Sequence, residues 1–150
     1  MANSREHLLW GAAAGAGVYI LSAWITGEKI SFSELLGSAL SGVLTAKVPD
    51  ILEPATHPNH RAVFHSVCFA GLALPNAWAA TCKKREEIIG QAQECERRAA
   101  IATNNQERDY WSQQANWLRF CAGSLLGLVP GYASHLAADA LTPKGLPLLR

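Results

Sequence analysis

Long runs without charged residues alternate with polar stretches along this chain, and the runs predict helices. The first covers residues 8–27, and two similar runs cover residues 62–82 and 120–138. A shorter run at residues 35–46 is rich in small residues. A helix of about 20 residues spans about 30 Å, the thickness of the hydrocarbon core of a bilayer. The pattern therefore predicts an all-α membrane protein.

We place four membrane helices at about residues 7–27, 31–48, 62–82 and 106–140, which gives a polytopic helical bundle. Glycine and serine recur at small-xxx-small spacing within three of these helices, a pattern that allows close helix packing in membranes. Three prolines in residues 47–61 predict an extended loop there. Two other interpretations stay open, namely a soluble bundle with buried core helices and an N-terminal signal peptide.

The charged residues are concentrated in one segment. Residues 82–119 hold 13 of the 25 charged residues and consist of strong helix formers with a break at Asn104 and Asn105. We interpret residues 82–119 as a polar helical hairpin that extends from one face of a single membrane-embedded domain, residues 1–150. Three aromatic side chains are expected to pack within this hairpin: Tyr110, Trp111 and Trp117.

Charge and cysteine content exclude several classes of protein. The formal net charge of +1 argues against nucleic-acid binding by bulk electrostatics, so no nucleic-acid partner is expected. The four cysteines form no C-x-x-C pair, which excludes a zinc ribbon. The hairpin face carries eight basic residues and the opposite face five, so the positive-inside rule favours a cytoplasmic hairpin in a multi-pass protein of the inner (cytoplasmic) membrane. The oligomeric state stays open, and a homo-oligomer is allowed.

The ionisable residues outside the hairpin cluster at one end of the predicted bundle. If four helices alternate in direction, the start of the first and third and the end of the second and fourth share one membrane face. Every histidine and several carboxylates then lie on this face, which the charge bias makes extracytoplasmic: His7, Asp50, Glu53, His57, His60, His65, His135 and Asp139.

Spacing within this set predicts a metal site. His135 and Asp139 are four residues apart, so both project from one face of a helix. His60 and His65 meet if His60 lies in the loop, and Asp50 supplies a further oxygen. A mixed nitrogen and oxygen set suits a divalent metal ion, with zinc first and manganese or iron next. The alternative is that single interfacial histidines serve only as hydrogen-bonding residues.

Two strings resemble those of the YdjM-like family of membrane-bound, predicted metal-dependent hydrolases. They are PDILEPATHPNHRAVFHS at residues 49–66 and GYASHLAADALTPKG at residues 131–145. The family is distantly similar to zinc-dependent phospholipases C and single-strand nucleases. The resemblance implies an all-helical enzyme with one or two metal ions, and it implies ligand roles, with Glu53 and His60 close by, for His7, Asp50, His65, His135 and Asp139.

The chain departs from the family pattern at two positions. The family often has a second aspartate two residues after Asp50, where this chain has Leu52 followed by Glu53. A threonine often precedes the second histidine of the H-R string, where this chain has Phe64. Either change bears on the number of metal ions or on their geometry.

The leading functional hypothesis is metal-assisted hydrolysis of a phosphoester in a phospholipid or lipid-linked substrate at the membrane surface. Glu53 or Asp50 is the expected general base, and Arg61 and Lys144 are expected to hold phosphate oxygens. One alternative is a membrane protein with a structural metal site. The other is an assembly or adaptor protein that binds a helical partner through the hairpin.

Overall fold

The chain folds into long α-helices that pack side by side. The structure is a computed structural model and describes residues 4–53 and 66–141. Over these residues it is all-α, as the sequence predicts. In chain order the helices are α1 (Ser4–Thr26), α2 (Phe32–Thr45), α3 (Val48–Leu52), α4 (Val67–Ile101) and α5 (Asn105–Ala140). Helices α1, α2 and α5 pack against one another, and α4 packs against α5.

Side-chain caps fix where two of the helices begin. Ser31 caps α2 by accepting a hydrogen bond from the backbone N–H of Glu34, and Asn104 caps α5 in the same way for Glu107. The break predicted at Asn104 and Asn105 is therefore confirmed. The turn after α1 depends on Gly27, whose φ of 69° is a conformation that L side chains rarely adopt.

The structure corrects two of the predicted boundaries. Residues 47–61 were expected to be extended, but Val48–Leu52 forms the short helix α3. Pro49 is compatible with this helix because it lies in the first turn, where a backbone N–H has no helical partner. The charged residues 82–101 are a direct continuation of α4, with no break between the apolar and charged parts.

Small residues fill the centre of the molecule, and large apolar residues face outward. Fully or nearly buried positions include many alanines, glycines and serines, while Leu9, Trp24 and Leu44 are largely exposed. This distribution is the reverse of that in a water-soluble bundle, and it suits helices surrounded by lipid. Two helical segments, Arg5–Thr26 and Phe32–Leu52, are long and apolar enough to cross a membrane.

The third and fourth predicted membrane crossings are not supported by the hydropathy of the described residues in their helices. They fall in α4 and α5, and over the described residues neither helix meets the same criterion of length and hydropathy. Both helices continue into the charged segment, and their apolar parts contain many glycine and alanine residues. A topology with four crossings therefore stays a prediction.

Close backbone contact holds α2 against α5. A Cβ atom at Gly123 would overlap the backbone carbonyl of Glu34, and one at Gly127 would overlap that of Ser38. The two helices can approach this closely only because these positions carry no side chain. This contact fixes the height of α5 relative to α2, and with it the position of the residues near the end of α5.

Candidate metal centre

Three helices bring the candidate ligands together at one end of the bundle. His7 lies near the start of α1, His135 and Asp139 lie in the last two turns of α5, and all three side chains are buried. The imidazole rings of His7 and His135 stack with centroids 4.3 Å apart. Asp50 reaches the same place from α3, which follows the end of α2.

The donor atoms lie at separations that suit one metal ion. One ligand atom each of His7, His135 and Asp139 lies within 4.8 Å of the others. His135 Nε2 is 3.5 Å from Asp139 Oδ2 and 3.6 Å from Asp50 Oδ1. In a tetrahedral zinc site with bonds of 2.0–2.2 Å, neighbouring donor atoms are about 3.4 Å apart. These two separations therefore match neighbouring donor positions around a single ion.

The charge of the cluster also fits a cation. Asp139 is buried, and a buried carboxylate is costly unless a positive charge or hydrogen bonds compensate it. Asp50 adds a second carboxylate, with 58% of its side chain exposed. Two imidazoles and two carboxylates form the mixed donor set that zinc and similar divalent ions prefer. The buried His7, His135 and Asp139 and the more exposed Asp50 are therefore all available to hold such an ion.

The family of this chain follows from its similarity to a known protein family over its whole length. The model for the YdjM inner membrane protein matches the chain over residues 1–150. The chain belongs to the YdjM inner membrane protein family. No curated protein and no solved structure matches it. The YdjM resemblance in the sequence is thus confirmed, and membership supports the prediction of an inner membrane protein. The distant similarity to phospholipases C stays a prediction.

The structure places some of the predicted site residues of this YdjM family member and not others. It brings His7, Asp50, His135 and Asp139 together. Glu53 is the C-cap residue of α3, and its carboxylate interacts electrostatically with the side chain of Tyr132. Tyr132 lies one helical turn before His135 in α5. The remaining candidates lie outside the described residues: His57, His60, Arg61, His65 and Lys144.

A second buried charged cluster lies at the opposite end of the helices, and the sequence analysis did not identify it. The Glu34 side chain is 3% exposed and accepts hydrogen bonds from Arg85 at 2.8 Å and from Arg119 at 2.6 Å. Arg119 also binds Glu96 through two nitrogens. The available signal was that Glu34 is the only acidic residue in the predicted second helix, residues 31–48. An ionisable residue there is costly unless it is paired.

Proposed function

We propose that this YdjM family member is a membrane-bound metal-dependent hydrolase that cleaves a phosphoester of a phospholipid or lipid-linked substrate. His7, His135 and Asp139 would hold one divalent ion, with zinc as the first expectation and manganese or iron next, and Asp50 would lie beside the open fourth position of that ion. The observation that carries the proposal is the convergence of their donor atoms from α1, α3 and α5. In the proposed topology the charged ends of α4 and α5 are cytoplasmic, and this site faces the extracytoplasmic side.

The residues of the chain divide the chemical tasks. A bound divalent ion supplies a Lewis acid that polarises a phosphoryl oxygen and acidifies water. His7 and His135 would supply nitrogen donors, and the buried Asp139 would supply an oxygen donor. Asp50 is exposed enough to meet both solvent and substrate, which suits it or the nearby Glu53 to accept a proton from water. Arg61 and Lys144 are the proposed partners of phosphate oxygens.

The proposal is tested on the full chain purified in mild detergent. We expect bound zinc, or another divalent metal, together with phosphodiesterase or phospholipase activity. His135→Ala and Asp139→Ala should lose both the metal and the activity, because each removes a donor atom. Asp109→Asn is a matched control in the exposed charged segment, and it should keep both. Unchanged metal content and activity in His135→Ala and Asp139→Ala would refute the proposal.

A second candidate function is a structural metal site that ties the ends of α1 and α5 together. The burial of His7, His135 and Asp139 favours it, because structural sites are closed by protein. Asp50 separates the two functions. Asp50→Asn in a hydrolase should lower turnover while most of the metal stays bound. In a structural site, removing the metal with a chelator should lower the melting temperature of the protein. The protein should then turn over no substrate, whether the metal is bound or removed.

A further inference from the structure

A cleft lies between the start of α2 and α5, at the end of the helices away from the candidate metal centre. Its volume is about 350 Å³, and its apolar walls are Phe32 and Leu36 from α2 and Trp117 and Phe120 from α5. The rings of Trp117 and Phe120 stack with centroids 5.5 Å apart. Trp117 was expected to pack within the charged hairpin, but it is 61% exposed, and Phe32 is 75% exposed. Both side chains therefore border an open groove.

The polar edge of this cleft is neutral. Ser33, Gln113 and Asn116 complete its lining, and among the described residues that line it none is charged. The Ser33 hydroxyl donates to Asn116 Oδ1 at 3.5 Å. The adjacent charged residues, Glu34 and Arg119, are ion-paired to each other. Because the Ser33 hydroxyl donates to Asn116, the donors that this edge offers to ester or phosphate oxygens are the side-chain amide N–H groups of Gln113 and Asn116.

The apolar side of the cleft continues along the outside of α2. Leu40 and Leu44 follow Phe32 and Leu36 at intervals of four residues, and all four are exposed. Residues at this spacing form one ridge on a helix, and the ridge from Phe32 to Leu44 is about 18 Å long. It runs along the segment Phe32–Leu52, which is apolar enough to cross a membrane.

The aromatic residues of the cleft stand where the charged and apolar parts of the protein meet. Arg119 is the last charged residue of α5 before the charge-free residues 120–138. Aromatic residues are enriched at membrane–water interfaces, because there the ring contacts acyl chains while polar groups meet the headgroups. The cleft is therefore continuous with an exposed apolar surface, and if α2 crosses the membrane its polar edge falls at the level of the headgroups.

We propose that this cleft and the α2 ridge bind one phospholipid of the surrounding membrane. One acyl chain lies along Phe32, Leu36, Leu40 and Leu44, and the ester and phosphate oxygens accept hydrogen bonds at the neutral edge. A narrow apolar ridge without polar groups suits an acyl chain better than the mixed surface of a protein partner. This lipid site is independent of the metal centre and of any hydrolytic activity.

Native mass spectrometry of the full chain in mild detergent tests the proposal. We expect one phospholipid to remain bound to each chain. Ser33→Phe places a ring in the cleft and should lower the affinity for the lipid about tenfold, measured as a lower occupancy at a limiting lipid concentration. Ile25→Phe, at an exposed position of α1, is the matched control and should retain the lipid. Equal occupancy in the two variants would overturn the proposal, as would a lipid-free dimer that Ser33→Phe dissociates.

Tryptophan fluorescence provides a second test, in which no bulky side chain is introduced to block the cleft. The protein is placed in vesicles of phosphatidylcholine with brominated acyl chains, which quench tryptophan emission on contact. A variant that keeps Trp117 and has phenylalanine at the other four tryptophan positions should lose at least about half of its emission, because the proposed site places the ring among acyl chains. A variant that keeps only Trp111, whose ring lies against Arg98, should retain its emission. Equal quenching of the two, or an unquenched Trp117, would contradict the proposed lipid site.

Discussion

Glu34 is the residue whose burial most needs explaining. Its carboxylate is removed from water, and the guanidinium groups of Arg85 and Arg119 compensate it from two different helices. A buried ion pair contributes little net stability compared with a well-packed apolar group, but removing one member leaves an unpaired charge. Glu34 therefore specifies how α2, α4 and α5 fit together, more than it adds to the free energy of unfolding.

We predict that Glu34→Ala lowers the free energy of unfolding by about 3 kcal/mol, because two mostly buried arginines lose their shared partner. Glu28→Ala is the matched control, because Glu28 is half exposed and 3.8 Å from Arg85. It should cost less than about 1 kcal/mol. Unfolding of each variant in mixed micelles with increasing denaturing detergent measures the difference. Equal losses would show that Glu34 does not hold the helices together.

Glu94, in the charged part of α4, illustrates an exposed ion cluster. Hydrogen bonds from Arg97 and Arg98 lower the pKa of its carboxyl group to about 2. Since the folded-state pKa is depressed, the stabilisation is fully present above the unfolded-state pKa of 4.5. It is lost as the pH falls from there through about 2.

The test is an NMR titration of the Glu94 carboxyl. We expect a midpoint near 2 in the native chain. In a variant that combines Arg97→Gln with Arg98→Gln, the midpoint should rise toward 4.5, because both hydrogen-bonded cations are gone. A midpoint unaffected by the two substitutions would show that these ion pairs do not form in solution.

At the scale of helices, the close contact of α2 with α5 depends on residues that have no room for a side chain. We predict that Gly123→Ala lowers the free energy of unfolding by about 1–3 kcal/mol, because its Cβ meets the backbone carbonyl of Glu34. Gly17→Ala, in α1, is the matched control, since a Cβ there has open space around it. It should be neutral or stabilise by up to about 1 kcal/mol. The same micelle unfolding assay checks both, and a neutral Gly123→Ala would contradict the packing of these helices.

The pattern of apolar and charged residues predicted the helices well, because helix formation depends mainly on residues that are close together in the sequence. The charge-free runs and the Asn104 cap are local signals, and the i,i+4 spacing of His135 and Asp139 placed them on one face. The pairing of Glu34 with Arg85 and Arg119 could not be predicted in this way. The partners are 51 and 85 residues away, and only the packed helices bring them together. Helix α3 was missed because Pro49 was interpreted as a helix breaker, although proline is compatible with a first turn.

At the scale of the whole molecule, the two charged clusters lie at opposite ends of the helices. We predict that these ends face opposite sides of the membrane, with the junction of α4 and α5 in the cytoplasm. In a chain without its native cysteines, Thr103→Cys should resist a membrane-impermeant maleimide until the membrane is permeabilised. Lys47→Cys, near the candidate metal centre, should react from outside. Both positions are exposed in the structure. Labelling of both from the same side would refute this topology.

The length of α5 has a mechanical consequence. It is one helix from Asn105 to Ala140, and it carries Arg119 near one end of the bundle and His135 near the other, about 24 Å apart along the axis. Pro130 lies between the two residues and removes one helical hydrogen bond, but α5 stays helical through it, so the rotation that directs Arg119 to Glu34 also sets the direction of His135. A twist applied to the charged part of α5 would therefore turn a candidate metal ligand at the opposite end of the bundle.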